Sequence, residues 1–212
     1  MIQPVTVIVL AAGRGSRLPG AGLGLQPALE GGGEGGSSLL SATLRNAIAS
    51  GLPVVVVTTA DLAPQVQQQV AARDVLVVPP QPRGRGLGDA IATAVSARAD
   101  AAGWLLMPAE MPHLLPATLQ QVAQALQTHA VAYAQYRGRR GHPVGFAAEL
   151  FSELVALTGD EGARRLVDRY AARAVEVDDP GALADIDTLQ DPAVLRSVTG
   201  GSALNGGVLL QR

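Results

Sequence analysis

Val5–Leu18 reads VTVIVLAAGRGSRL, an apolar run that gives way to small residues, glycines and arginines. The run Val5–Leu10 is short and almost continuously apolar, which predicts a strand buried on both faces of a parallel sheet. The loop after it would lie beyond the carboxyl end of that strand, where open α/β sheets bind their ligands. Backbone N–H groups between small residues, together with the guanidinium groups of Arg14 and Arg17, are typical of a phosphate-binding loop. The alternative is a glycine-rich turn with solvated arginines.

Two common phosphate-binding motifs do not match this loop. Gly13 and Gly15 are followed three residues on by Leu18, and no helical pattern begins there, so the dinucleotide fingerprint fits poorly. The Walker A loop requires a lysine, and all 16 basic residues of this chain are arginines. The sequence therefore predicts a phosphate loop of another class.

Similar apolar runs recur along the first half of the chain and alternate with helical patterns. Strands alternating with helices of this length predict βαβ units and a parallel sheet. Asp61 is expected to cap the second helix, with Pro64 in its first turn, and Gly51 and Gly103 are expected to end the first and third helices. The predicted strands are Val5–Leu10, Pro53–Thr58, Val75–Val78 and Trp104–Met107, and the predicted helices are Leu39–Ser50, Leu62–Arg73 and Asp89–Asp100.

The second half is less regular. A basic turn, Arg137–Gly141, is predicted to join two strands as a hairpin, so the mainly parallel sheet would carry an antiparallel insertion. We expect one domain over residues 1–198, followed by a loose tail over residues 199–212. The other elements predicted here are helices at Pro116–His129, Ala148–Leu157, Glu161–Ala171 and Thr188–Ser197, and strands at Ala130–Tyr136, His142–Phe146 and Ala174–Val177.

Composition excludes several classes of protein. The chain has 212 residues, 48% of them hydrophobic, which suffices for one α/β domain with a sizeable core. A formal charge of −2 argues against a nucleic-acid partner, and the absence of cysteine excludes disulfides, thiolate metal sites and cysteine nucleophiles. No apolar run approaches the roughly 18 residues of a membrane span, and no secretion signal is evident. We expect a soluble, cytoplasmic protein with no membrane partner.

The signature Leu10–Arg17 resembles that of the MobA-like nucleotidyltransferases, the family of the molybdenum cofactor guanylyl- and cytidylyltransferases. Four further segments resemble motifs of that family and occur in the family's order. They are Glu110-Met111-Pro112, Gly141-His142-Pro143-Val144-Gly145-Phe146, Gly159-Asp160-Glu161-Gly162-Ala163-Arg164 and Asp185-Ile186-Asp187-Thr188. Together the five segments cover about residues 5 to 192.

The resemblance implies a Rossmann-like nucleotidyltransferase fold with three α/β/α layers, and transfer of a nucleoside monophosphate from an NTP with release of pyrophosphate. It implies Mg²⁺ as the cofactor, a molybdopterin-type acceptor, and a molybdoenzyme or its chaperone as a partner. It assigns catalytic roles to Arg17, Gln26 and Glu110, and metal binding to Glu110, Asp185 and Asp187. It assigns nucleotide binding to Leu10, Ala11, Ala12, Gly13, Arg14, Gly15, Gly86 and Asp89, and acceptor binding to His142, Pro143, Asp160 and Gly162.

The chain departs from the family pattern at two positions. Glu110 stands where the family has aspartate, and Gln26 is the nearest equivalent of a motif lysine. Ala12 resembles the cytidylyl members, so CTP is favoured over GTP. The alternatives are a degenerate paralogue that binds a nucleotide or pterin without turnover, and a sugar-nucleotide pyrophosphorylase. Separately, Arg137, Arg139 and Arg140 would attract an anionic acceptor or form a solvated turn.

Overall fold

The computed structural model of the chain describes residues 4–12, 39–79, 86–159 and 162–183. Within these ranges one sheet has seven strands in the order β3-β2-β1-β4-β6-β5-β7. The strands are β1 (Thr6–Ala11), β2 (Val54–Thr58), β3 (Val75–Val77), β4 (Gly103–Pro108), β5 (Val131–Tyr136), β6 (Arg139–Ala147) and β7 (Arg173–Glu176). The predicted helix Thr188–Ser197 and the predicted tail lie outside the described residues.

Helices cover both faces of the sheet. Apolar residues of the first, second and fourth helices pack on one face, here called the α1 face, and those of the third, fifth and sixth pack on the other, the α3 face. The helices are α1 (Leu39–Ala49), α2 (Ala63–Val66), α3 (Leu87–Ala97), α4 (Pro116–Ala125), α5 (Phe151–Val155) and α6 (Arg164–Arg169). No helix in the described ranges is long and apolar enough to span a membrane.

Strand directions confirm the predicted fold class. β1 pairs in parallel with β2 and β4, β2 pairs in parallel with β3, and β5 pairs in parallel with β7. β6 is antiparallel to both of its neighbours, β4 and β5. The central strands are apolar throughout because both of their faces are covered, and Val7, Ile8, Val9, Trp104 and Leu105 are all 0% exposed.

The second helix is shorter than predicted, and its predicted cap was wrong. The helix ends at Val66 because the chain then tightens into three-residue turns, with Gln68 N–H donating to Gln65 O and Gln69 N–H donating to Val66 O. Asp61 does not cap it. The backbone carbonyl of Thr59 accepts from the N–H groups of Leu62 and Ala63 instead, and Pro64 lies in the first turn as predicted.

Two further turn predictions are corrected by the structure, and one is confirmed. Gly51 has a φ of +73°, as expected of a residue that ends a helix. Gly103 is the first residue of β4, and a Cβ there would lie 2.7 Å from Phe146 O, so glycine permits close strand approach. The hairpin turn is only Arg137-Gly138, both with positive φ, so β6 begins at Arg139 and not at His142.

Candidate functional site

The carboxyl ends of β1 and β4 meet at the centre of the sheet. Leu10 pairs with Pro108 in the register of these strands, so Ala12 and Glu110 follow the two strands at the same edge. The chain runs from β1 to β2 on one side of β1, whereas β4 lies on its other side. This reversal is the position at which open α/β sheets bind ligands. The predicted phosphate loop and the predicted metal motif therefore begin side by side.

Side chains of α1 anchor the Glu110-Met111-Pro112 motif. Thr43 is fully buried, and its Oγ1 accepts from Met111 N–H at 3.0 Å while donating to Leu39 O at 2.9 Å. One helical turn further on, Asn46 Nδ2 donates to Pro112 O at 2.9 Å. Glu110 itself is half-buried, and Met111 is fully buried in the core of the α1 face. Nothing in the local sequence indicates the roles of Thr43 and Asn46, which lie in an otherwise ordinary helix.

Asp179 anchors the rest of the same loop. Its side chain is buried and accepts from Leu115 N–H at 2.9 Å, Thr118 Oγ1 at 2.6 Å and Gly181 N–H at 2.9 Å. A Cβ on Gly181 would lie 2.2 Å from His113 O, so the segment after Asp179 packs directly on the motif loop. Asp-Pro-Gly in the sequence predicts a turn with the local bond to Gly181 N–H, but nothing local indicates the two partners in the motif loop and α4, Leu115 and Thr118.

The start of β6 reaches the same edge. Since Leu106 pairs with Val144 in the antiparallel register, His142 lies near the carboxyl end of β4. His142 is half-buried, Pro143 is buried, and the peptide bond between them is cis. The pairing with β5 shifts here, from Tyr133 opposite Val144 to Gln135 opposite Arg140, which is a bulge in β6. The predicted acceptor residues His142 and Pro143 thus lie beside the predicted metal motif.

The amino end of α3 forms a second anchored region at this edge. Asp89 Oδ2 accepts from Gly86 N–H and from Gly159 N–H, each at 3.0 Å, and Gly88 N–H donates to Gly159 O at 2.8 Å. A Cβ on Gly88 would lie 2.8 Å from Thr158 O, so the two loops are in direct contact. Gly162, with a φ of +56°, packs against Leu87. The structure therefore brings together Gly86, Asp89 and Gly162, which the sequence assigned to nucleotide and acceptor.

An open cavity of about 550 Å³ lies beside this second region, between the end of β3 and the outer side of α3. Pro79, Asp89, Thr93, Ser96 and Thr158 are among the residues that line it. The cavity therefore lies at the β3 side of the carboxyl edge and not at the β1–β4 junction.

Arginines of the β5–β6 hairpin lie on this edge as well. The Arg140 guanidinium lies 5.0 Å from the centroid of the Tyr133 ring and 3.7 Å from Asp168 Oδ1 on α6. Arg137 stacks on Tyr136 at 5.1 Å. Arg139 is exposed, and it projects to the face opposite Arg140 because successive strand residues alternate.

Several of the predicted site residues cannot be compared with this geometry. Within the four described ranges, no group of three His, Asp or Glu residues could together hold a metal ion. The predicted site residues Gly13, Arg14, Gly15, Arg17, Gln26, Asp160, Asp185 and Asp187 lie outside the described residues.

Comparisons with known proteins agree with this architecture. The chain is similar to the purine catabolism protein PucB of Bacillus subtilis (strain 168), with 31% identity over 117 residues, which is 54% of this chain and 56% of PucB. It is similar to the solved structure of Rv0371c of Mycobacterium tuberculosis H37Rv in complex with manganese, with 26% identity, a TM-score of 0.69, and coverage of 92% of this chain and 100% of that one.

A nucleotidyl transferase from Methanothermobacter thermautotroptrophicus also matches, with 27% identity, a TM-score of 0.65, and coverage of 92% of this chain and 97% of that one. The family model of the MobA-like NTP transferase domain matches residues 7–175, which include every strand of the sheet apart from the ends of β1 and β7. The chain therefore belongs to the MobA-like NTP transferase family.

Proposed function

We propose that the chain is a metal-dependent nucleotidyltransferase that uses CTP in preference to GTP and acts on a phosphate-bearing acceptor of the molybdopterin type. The acceptor phosphate oxygen would bond to the α-phosphorus of the NTP, the α–β bridging P–O bond would break, and pyrophosphate would leave with the displaced electron pair. The single observation that carries this proposal is the juxtaposition of Ala12 and Glu110 at the β1–β4 junction.

The oxygen chemistry of the junction fits a hard divalent cation. Mg²⁺ is usually held by one or two carboxylates, several waters and the substrate phosphates, so a full cage of protein ligands is not needed. Glu110 with Asp185 or Asp187 would hold the ion, which would offset charge on the phosphate oxygens. The manganese complex of Rv0371c supports a divalent ion in this family.

The chain's own residues would supply the positioning. Leu10, Ala11 and the loop from Ala12 to Arg17 would bind the triphosphate through backbone amides and arginine, and Gly86 and Asp89 would contact the nucleotide beside them. His142, Pro143, Asp160 and Gly162 would hold the acceptor. With Gln26 in place of a lysine, positive charge beside the departing pyrophosphate would come from Arg14 or Arg17, since guanidinium groups bind phosphate bidentately. A molybdoenzyme or its chaperone is the expected recipient of the product.

The experiment is a pyrophosphate-release assay with each of the four NTPs, with and without a molybdopterin-type acceptor, in Mg²⁺ and in Mn²⁺. Glu110→Gln is expected to lower kcat/KM by at least about 100-fold, because it removes the anionic ligand of the metal ion that would offset charge on the reacting phosphates. Glu149→Gln is the matched control. Glu149 is exposed and follows β6 at the opposite edge of the sheet, so we expect a change within about twofold.

The same assay distinguishes the alternatives. If no NTP yields pyrophosphate but CTP or GTP raises the Tm of the wild-type chain, the binding paralogue is the correct reading. In that case Gln26→Lys with Glu110→Asp is expected to restore turnover. Pyrophosphate release that requires a sugar phosphate would support the pyrophosphorylase. If the chain shows no turnover and no thermal shift with any NTP, the proposed function is overturned.

A further inference from the structure

A side-chain hydrogen bond from α1 anchors the peptide group between Glu110 and Met111. Its N–H, that of Met111, is buried and donates to Thr43 Oγ1, which in turn donates its own proton to Leu39 O. The Leu39 bond orients the Thr43 hydroxyl, so its lone pair is directed at Met111. A buried amide N–H that loses such a partner is left unsatisfied at the full cost of its desolvation. The anchor is therefore strong enough to fix the orientation of this peptide plane.

Fixing that plane restricts the Glu110 backbone. Ala109 and Met111, on either side of Glu110, are both fully buried on the α1 face. Asn46, on the same side of α1, donates to the carbonyl of Pro112, the last residue of the motif. Two neutral side chains one helical turn apart thus hold the motif on both sides of Met111.

We infer that Thr43 is a positioning residue for the metal: its hydroxyl, supported by Asn46, holds the backbone at Glu110 so that the carboxylate meets a divalent cation. This inference rests on the proposed function, because it takes Glu110 as the ligand. Groups that orient metal ligands typically change metal affinity 10–100-fold when removed.

The test measures the dissociation constant of Mn²⁺ for the full chain, by electron paramagnetic resonance of the free ion. Thr43→Val keeps the shape of the side chain and removes both hydrogen bonds, and it is expected to weaken Mn²⁺ binding about tenfold. Thr43→Ser keeps the hydroxyl and is expected to restore binding. Asn46→Ala, a milder change at a half-buried position, is expected to weaken binding about threefold and serves if Thr43→Val does not fold.

Ser50→Ala is the matched control. Ser50 lies just beyond the far end of α1, and its buried hydroxyl also bonds to backbone atoms, those of Ala47 and Leu52. Its removal is expected to lower the Tm and leave Mn²⁺ affinity unchanged. Equal weakening by Ser50→Ala and Thr43→Val would overturn the inference, because the effect would then be general destabilisation.

Glu110→Gln separates this inference from the proposed function. If Glu110→Gln weakens Mn²⁺ binding while Thr43→Val and Asn46→Ala bind as the wild type does, the inference is overturned and the proposed ligand stands. If Glu110→Gln binds Mn²⁺ as tightly as the wild type, the proposed metal role of Glu110 is wrong, and the positioning role of Thr43 is wrong with it.

Discussion

The two faces of the sheet anchor the loops at its carboxyl edge in different ways. On the α1 face, neutral side chains of Thr43 and Asn46 bind backbone atoms next to the acidic residue of a motif. On the α3 face, the acidic residue is itself the anchor, because Asp89 Oδ2 accepts from the backbone of Gly86 and of Gly159. Both faces fix a loop at the carboxyl edge, but on the α3 face a predicted site residue is itself the anchor, whereas on the α1 face the anchoring carboxylate, that of Asp179, belongs to none of the predicted motifs.

This difference separates two acidic residues that look alike in the sequence. Asp89 lies in the first turn of α3 and Glu110 follows β4, and the family resemblance assigned them to nucleotide and metal, respectively. Asp89 holds two loops together because its carboxylate accepts two charge-assisted hydrogen bonds, which are among the stronger hydrogen bonds in proteins. A motif carboxylate can therefore be a structural anchor as well as a predicted contact for nucleotide.

The comparison is tested most strongly at Asp89. Asp89→Ala removes the acceptor of two backbone N–H groups, and we expect it to lower the free energy of unfolding by about 2 kcal/mol. Asp89→Asn keeps an acceptor oxygen and is expected to cost less than half as much. Urea denaturation measures both.

Asp100→Ala is the control for the Asp89 experiment. Asp100 is exposed beyond the end of α3, and its removal is expected to change stability by less than about 0.5 kcal/mol. If Asp89→Ala were as mild as Asp100→Ala, the loops on the α3 face would be held by packing and not by the carboxylate.

The sequence predicted the sheet well because its signals are local. Continuous apolar runs located the central strands to within about one residue. The prediction failed where backbone geometry was decided at a distance. Gly103 looked like the end of a helix, but its small size serves the approach of β6, more than 40 residues later.

The anchors of the candidate site were missed for the same reason. Thr43 bonds to Met111, 68 residues along the chain, and Asp179 bonds to Leu115, 64 residues away. Threonine in the middle of a helix commonly bonds to the carbonyl four residues earlier, so its sequence context indicates nothing more. Motifs identified the residues expected to touch substrate, whereas the residues that hold those motifs in place emerge only from the tertiary fold.

A second prediction compares two neighbouring residues of β6 whose side chains lie on opposite faces of the sheet. Arg139 and Arg140 are neighbours on β6 with the same charge, and only Arg140 lies on the α3 face, stacked on Tyr133 near Asp168. Gly162, a predicted acceptor residue, also packs on that face. We expect Arg140→Gln to raise the KM for an anionic acceptor about fivefold, because the substitution removes one partly exposed charge-assisted contact with the acceptor.

Arg139→Gln is the matched change on the other face, and it is expected to alter the KM by less than about twofold. Steady-state kinetics with varied acceptor at saturating NTP gives both values. Equal effects of the two substitutions would mean that the arginines act through overall charge, and the distinction between the faces would not extend to the acceptor.

The smallest expected effect lies at the outer side of the α3 face, where α5 meets α6. The Tyr170 hydroxyl donates to Glu153, whose other oxygen pairs with Arg169 at 2.8 Å. The hydrogen bond to Glu153 raises the pKa of Tyr170 above its ordinary value of 10.0, with smaller contributions from burial and from the charges of Glu153 and Glu149, while the Arg169 charge opposes the shift. The neutral phenol is therefore favoured in the folded chain.

Because the folded-state pKa of Tyr170 is the higher one, its contribution to stability is complete below about pH 10 and is lost as pH rises through the folded-state pKa. We expect Tyr170→Phe to be slightly less stable than the wild type at neutral pH and to converge with it in strong alkali. Urea denaturation across that range measures the convergence, and ultraviolet difference titration against Tyr170→Phe gives the pKa directly. Glu153→Gln is expected to lower that pKa, since it removes the carboxylate. A constant stability difference between Tyr170→Phe and the wild type at every pH would show that the ring packs without titrating, and that charge contributes to this face at Asp89 but not at the α5–α6 junction.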